Sequence, residues 1–392
     1  MRILFLTSRN IYNTNGELRL IKNRANVLYE EFGIISDFIC YHDDEIFSDS
    51  QEVINTAFDF SVITYSQNKP YTLFVNRKKL KKKVVELLNQ KHYDAVIISG
   101  QFAFQFISFI RGNTKVPVIC DIHGASDELI EFSSGDFFSN IKRRIIFSLF
   151  RHYEKKYIKQ YDAAFVVTVE LKENVIRTLA ADNLHFFIVP CAKKYDDFDR
   201  DQYIRFRTHY RKQYGISDKE RLFIYSGGIS PWQCIDKTVD LFNRISDRIP
   251  DCKFLILSDQ ADKLSLEQEN IIIDKLPFDK VDETLCAGDY AFMIRDDLVT
   301  NQVAFPNKYC EYVASGMRII SSPYLRTVSK SIKENDLGYV LRDNNDVEGV
   351  IEYVMNDKLT QDFDKRYKVL KSFEFEHTLI PFVKYLKGET FE

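Results

Sequence analysis

The 392-residue chain has no apolar run approaching ~20 residues, so nothing in it reads as a bilayer-spanning helix. It has no C-x-x-C pair. Cys40, Cys120, Cys191, Cys234, Cys252, Cys286 and Cys310 are scattered and odd in number, which argues against disulfides or zinc and for free buried thiols in a reducing cytoplasm. It has no excess of either charge: 54 Lys and Arg stand against 57 Asp and Glu, net −3, so no whole-molecule drive toward nucleic acid exists. No G-x-G-x-x-G follows the first strand-like run, which removes the dinucleotide fingerprint and speaks against a dehydrogenase. Arg9 arrives before any signal-peptide core forms, and no low-complexity tract or short repeat is found; the expected location is the cytoplasm.

What the chain does have is 45% hydrophobic and 28% charged residues, the composition of a globular protein, at a length for which two domains are the default. Residues 3–7 and 222–226 are short apolar runs leading into Gly- or Asn-containing loops and then helical patterns, as the first strand of a parallel α/β sheet does. Strand-like runs follow at 37–40, 61–65, 95–99, 116–121, 163–168 and 186–189, and in the second half at 254–257, 271–273, 290–294, 318–321 and 339–341. This alternation predicts two doubly wound Rossmann-like α/β domains, with ligands at the carboxyl ends of strands and in the crevice between domains. The boundary falls within 190–200, giving a first domain 1–195, a second domain 196–372 and a terminal helix 373–392.

The most informative segment runs from Phe305 to Ile320. Pro306 suits the first turn of a helix, Gly316 suits its exit, and 318–321 reads as a buried strand. A helix entering here turns its open backbone N–H groups toward the preceding loop. Such an end attracts phosphate, and Lys308 adds a positive charge beside it. Glu311, one turn on, presents a carboxylate able to accept hydrogen bonds from a ribose, and phosphate with ribose indicates a nucleotide.

The segment resembles the nucleotide-sugar site of the retaining family-4 glycosyltransferases. The runs 1–7, 120–124, 161–168, 188–190, 224–231 and 373–376 follow in that family's order and together span nearly the whole chain. The resemblance implies the GT-B fold, two Rossmann-like domains facing across a cleft with residues 373–386 crossing back to the first. It further implies a nucleotide-diphosphate sugar donor, UDP by family frequency, and no required metal. Transfer would be to a carbohydrate or lipid-linked glycan with retention, in cell-envelope or capsular polysaccharide synthesis. Carried over residue by residue, it sets Gly16, Gly227 and Gly228 on donor loops and His123 against a donor-sugar hydroxyl. Ala304, Phe305, Pro306 and Asn307 fall at the sugar end of the helix, and Glu311 on the ribose. Glu154 and the run 168–170 also match family positions, although Glu154 reads better as a helix-surface residue.

The chain departs from the family at three places. Gly228 and Gln233 stand where many relatives carry Arg and Lys to neutralise the diphosphate, and Val303 stands where the first of two glutamates is usual. Arg295, at the end of the run 290–294, is the replacement expected, converging with Lys308 on one point. The plainer alternatives are a surface Arg295 paired with Asp296 and Asp297, solvated helix positions for Lys308 and Glu311, and a structural His123. The Asp-x-Asp pairs Asp197/Asp199, Asp199/Asp201 and Asp362/Asp364 fall in the linker and a charged tail helix, poor settings for a metal cage.

Two basic stretches, 77–83 and 141–151, read either as solvated helix faces or as a footing on an anionic membrane, at the inner face of the cell membrane. Two rival functions remain. A nucleotide-sugar epimerase of the same fold would need acid/base carboxylates that the sequence does not identify; a non-catalytic nucleotide-sugar-binding subunit is encouraged by Val303.

Overall fold

The computed structural model describes residues 1–10, 16–43, 59–65, 72–100, 104, 106–132, 137–190, 195, 199–264, 266, 268–359 and 362–390. The apolar runs of the first half form β1 (Arg2–Asn10), β2 (Ile35–Asp43), β3 (Asp59–Tyr65), β4 (Ala95–Ser99), β5 (Val118–Ile122), β6 (Ala163–Val166) and β7 (His185–Ile188). Those of the second half form β8 (Arg221–Ser226), β9 (Cys252–Leu257), β10 (Ile271–Asp274), β11 (Tyr290–Met293), β12 (Arg318–Ser321) and β13 (Gly338–Val340). They assemble into two parallel sheets, ordered β3-β2-β1-β4-β5-β6-β7 and β10-β9-β8-β11-β12-β13. Every residue of β4, β5 and β6 is buried, because helices cover both faces. That is why these runs are continuously apolar instead of alternating.

Strand ends differ from the sequence expectation where a side chain or a proline takes the backbone out of the ladder. The run 163–168 stops at Val166, since Thr168 turns to cap the helix Val169–Leu179, its Oγ1 accepting from Leu171 N at 3.0 Å. The run 116–121 begins only at Val118, because Pro117 has no N–H to donate. Asp199 and Asp362 cap the helices Arg200–Gln213 and Phe363–Lys371 in the same way, which accounts for an aspartate in each Asp-x-Asp pair; Asp197 lies outside the described residues. Among the described residues no group of three or more His, Cys, Asp or Glu gathers as metal ligands do, and no helix is long and apolar enough to cross a membrane.

The chain divides into two compact units, Met1–Lys193 with Glu374–Glu392, and Lys194–Phe373. Each has its own core. In the first unit Ile3, Phe5, Ile97, Ile119 and Phe165 pack with Phe375, Leu379, Phe382 and Val383, so the C-terminal segment is part of that core. In the second unit Phe223, Tyr225, Phe254, Phe292 and Ile320 do the same work, and Phe373 stays there against Phe305 and Tyr309. Cys120, Cys234, Cys252 and Cys310 are buried and Cys286 half-buried, none of them in a disulfide, and the side chains of Cys40 and Cys191 lie outside the described residues.

The second sheet reverses its strand order between β8 and β11. At such a switch point successive helices leave to opposite faces and the carboxyl ends of the two strands open a crevice. The loop 226–228 after β8 and Arg295 after β11 are therefore neighbours by topology alone.

Candidate functional site

Three segments of the second unit meet at this switch point: the loop after β8, the residues after β11, and the start of the helix Asn307–Ala314. Gly227 adopts φ +131°, and a Cβ there would lie 2.5 Å from Lys308 Nζ. Only glycine serves on both counts. Lys308 crosses over this glycine, its Nζ 4.2 Å from the centre of the Tyr225 ring, and donates to Tyr225 Oη at 3.2 Å and Gln233 Oε1 at 3.0 Å. Tyr225 Oη in turn donates to the Gly228 carbonyl. Tyr312, from the same helix, accepts a hydrogen bond from Ser226 N at 2.9 Å and so fixes the helix to the end of β8.

Arg295 reaches the same oxygen from the β11 side. Its Nη2 donates to Gln233 Oε1 at 2.6 Å, while Nη1 donates to the carbonyls of Gln233 at 3.0 Å and Ile294 at 2.7 Å. The sequence alternative of a surface arginine paired with its aspartates does not hold: Arg295 is 3% exposed, Asp296 pairs with Lys237, and Asp297 accepts from Gln302. Among the described residues, no carboxylate lies within salt-bridge distance of Arg295 or Lys308. Burial and the neighbouring Arg295 push the Lys308 ammonium well below its ordinary pKa, with Glu311 alone pulling it back, and burial likewise lowers that of Arg295. Two cations thus share one neutral amide oxygen, and Glu311, one helical turn away, is the one charge that offsets the depression of the Lys308 pKa.

The helix Asn307–Ala314 begins without a side-chain cap, so its first N–H groups stay open to a ligand. Asn307 is exposed, Ala304 and Pro306 are half-buried, and Phe305 is buried with its ring against Tyr309 and Phe373. Phe305 therefore has only its backbone to give. Val303 is also buried, 3% exposed. Gly316, at φ +82°, closes the helix in the left-handed conformation expected of it, and Arg366 donates to the carbonyls of Val313 and Met317 at that end. Glu311 lines a cavity of about 190 Å³ with Tyr195, Asp282, Ser315 and Tyr367, one helical turn from Lys308. A larger, shallow depression of about 660 Å³ beside Tyr339, Arg342 and Tyr353 shares no residue with this cluster.

In the first unit His123 follows β5, with Nε2 2.8 Å from Asp121 Oδ2. The same oxygen lies 2.9 Å from Arg24 Nη1 and accepts from Ser99 Oγ at 3.0 Å. Burial alone would raise the Asp121 pKa, yet Arg24 and His123 hold it well below the usual carboxylate range. Arg24 also stacks its guanidinium 4.7 Å from Phe165 and 5.6 Å from Phe375 of the C-terminal segment. Gly16 opens the helix Gly16–Glu30, and Asn15 before it lies outside the described residues. Glu154 is not a helix-surface residue: it is buried and accepts from Ser126 Oγ at 2.8 Å, because position 154 shares the inward face with Ile158. Burial raises its pKa.

Sequence reasoning missed Asp121, Arg24 and Tyr225 as members of these clusters. Two had a signal. Asp121 and His123 are two apart at a strand end and so lean to the same side, and Arg24 sits on the apolar face of its helix with Ile21, Ala25 and Leu28. Tyr225 had none, since its partner Lys308 is 83 residues away.

Neither a protein-family model nor a curated protein sequence matches the chain. Solved structures do match its fold. A sucrose-phosphate synthase from Thermosynechococcus elongatus superposes with a TM-score of 0.70 at 13% identity, 99% of each chain being covered. WaaG, a glycosyltransferase involved in lipopolysaccharide biosynthesis, gives 0.66 at 12% identity over 98% of this chain and all of that one. A trehalose-6-phosphate structure from E. coli, bound with UDP-2-fluoro glucose, gives 0.66 at 8% identity over the whole of both chains. At these identities the likeness establishes the fold: two doubly wound α/β domains of the GT-B type.

Proposed function

We propose that this protein is a retaining glycosyltransferase that takes a sugar from a nucleoside-diphosphate donor, a UDP-sugar, and passes it to a glycan or lipid-linked glycan in cell-envelope or capsular polysaccharide synthesis. The observation that carries this reading is the convergence of Arg295 and Lys308 on Gln233 at the β8/β11 switch point, with no carboxylate among the described residues within salt-bridge distance of either. A diphosphate supplies the missing negative charge, held further by the open amides of Asn307 and Lys308. Glu311 takes the ribose hydroxyls one turn along. The fold shared with glycosyltransferase structures, one of them bound with a UDP-sugar analogue, supports the donor class.

In the reaction the bond from the anomeric carbon to the diphosphate oxygen breaks, and the leaving diphosphate takes the electron pair. The acceptor hydroxyl attacks from the same face and gives its proton to the departing phosphate oxygen. Lys308, Arg295 and the helix amides stabilise the charge that develops there, and placing both reactants together does the rest. His123, held by Asp121, orients a hydroxyl of the transferred sugar and is not required to move a proton. No resident metal is invoked, so turnover is expected to persist in excess EDTA.

A second reading, a nucleotide-sugar-binding subunit without turnover, has one observation in its favour: Val303 is buried in the core where relatives place a sugar-contacting glutamate. Incubation of the purified protein with a panel of nucleotide sugars and acceptors separates the two. Release of nucleoside diphosphate supports transfer, an isomerised sugar would point to an epimerase, and binding without release supports the subunit.

A further inference from the structure

The two basic stretches found in the sequence are built differently. In the helix Thr72–Gln90 the apolar residues Leu80, Val84 and Leu87 are buried, while Lys78, Lys79 and Lys82 stand exposed on the other side. That is an ordinary surface helix. The helix Phe137–Ile158 packs against the helices Glu128–Glu131 and Val169–Leu179, with Glu154 and Ile158 buried and Phe147, Phe150 and Arg151 half-buried. Its other side is also apolar. Ile141, Ile145, Ile146, Leu149 and Tyr153 are each 41–56% exposed, five of the eleven large apolar side chains exposed among the described residues. At 3.6 residues per turn they fall within an arc of about 140° turned away from the packed face.

Cations frame this stripe. Lys142 and Lys156 project from the same arc, and Arg143, Arg144 and Lys155 flank it, all exposed. The one acidic residue of the helix, Glu154, is buried against Ser126. In a chain with a net charge of −3, the described charged residues exposed on this helix are thus all cations and surround a stripe of exposed apolar side chains. A second copy docked symmetrically on this face would bring the same cations against one another. An anionic lipid surface suits both features, taking apolar side chains at the acyl boundary and cations at the phosphates.

We propose that the helix Phe137–Ile158 seats the protein on an anionic phospholipid surface, with Ile141, Ile145, Ile146, Leu149 and Tyr153 in the headgroup–acyl boundary and Lys142, Arg143, Arg144, Lys155 and Lys156 on the lipid phosphates. This goes beyond the transferase reading and does not depend on it, because lipid binding is measured with neither donor nor acceptor. The test is co-sedimentation of the full chain with vesicles of equal parts phosphatidylglycerol and phosphatidylcholine, and with phosphatidylcholine alone. The protein is expected on the first and far less on the second, with binding lost as salt screens the attraction over ~8–10 Å. The double variant Ile145→Glu/Leu149→Glu and the triple variant Lys142→Glu/Arg143→Glu/Arg144→Glu should each weaken binding by about a hundredfold or more. All five positions are exposed, so thermal melting should not change. Lys78→Glu/Lys79→Glu/Lys82→Glu on the other helix serves as a control and should cost far less. Absence of vesicle binding, equal binding to both vesicle types, or variants that bind like the parent would overturn the proposal. So would a concentration-dependent dimer that Ile145→Glu/Leu149→Glu dissociates while vesicles remain unbound, which would assign the face to a second copy of the chain.

Discussion

In the first unit Arg24 and His123 converge on Asp121, 2.9 and 2.8 Å from the same carboxylate oxygen; in the second, Arg295 and Lys308 converge on Gln233, an oxygen with no charge. Both clusters sit at the carboxyl ends of parallel strands and both draw basic side chains to one acceptor. The difference lies in completeness. The first carries its own anion, so its charges answer one another inside the protein and the cluster serves the fold while holding an imidazole in place. The second has no carboxylate within salt-bridge distance among the described residues, and burial together with the neighbouring Arg295 holds the Lys308 ammonium below its ordinary pKa.

The comparison can be broken first at Asp121. Asp121→Asn leaves the buried Arg24 guanidinium without its counter-charge, a change expected to cost about 3–5 kcal/mol in a urea or thermal melt. Because the folded Asp121 pKa lies below its unfolded value of about 3.9, its contribution is full above that pH and is lost as pH falls below it. An acid titration that leaves the parent no less stable across that window would show the pair to be idle.

Gly227→Ala attacks the second cluster through its backbone. A side chain at φ +131° is strained by about 1–3 kcal/mol and displaces Lys308 Nζ. Melting should fall modestly, and nucleoside diphosphate binding should weaken while nucleoside binding holds. Glu311→Ala should instead weaken both: a ribose contact of this kind is worth about 1.5–3 kcal/mol and belongs to nucleoside and diphosphate alike. Calorimetric titrations that show no change with Glu311→Ala would remove this residue from the site.

The smallest effect is on alkaline stability. Between the depressed pKa of folded Lys308 and the unfolded value of about 10.4, the unfolded chain binds more protons, so this group's contribution to apo stability rises with pH and its cost is full below that window. Lys308→Met should flatten that part of the stability profile, and a parent profile already flat there would contradict the depressed ammonium.

Much of this arrangement was legible in the chain. Parallel strands covered on both faces announce themselves as continuous apolar runs, so all thirteen described strands fell where such runs occur. Lys308, Gly227 and Arg295 were readable because helix start, glycine turn and strand end are local features. Gln233 and Tyr225 were not readable as partners, since what matters is side-chain reach across 62 and 83 residues. Glu154 was misplaced because its partner Ser126 is on a separate element 28 residues away. The exposed stripe of the helix Phe137–Ile158 could not be told from a core stripe by periodicity, which reports that a face is apolar and not what covers it.

Lys308→Met tests most directly whether the second cluster is a diphosphate site, by titration calorimetry with UDP and with uridine on parent and variant. Removing one side of a desolvated charge pair typically costs about 2–5 kcal/mol. The UDP affinity should fall by that amount while the uridine affinity stays the same, and the apo variant should be no less stable than the parent, since a buried unbalanced cation has gone. Equal losses for UDP and uridine, or no loss for either, would contradict the claim that Arg295 and Lys308 wait for a diphosphate.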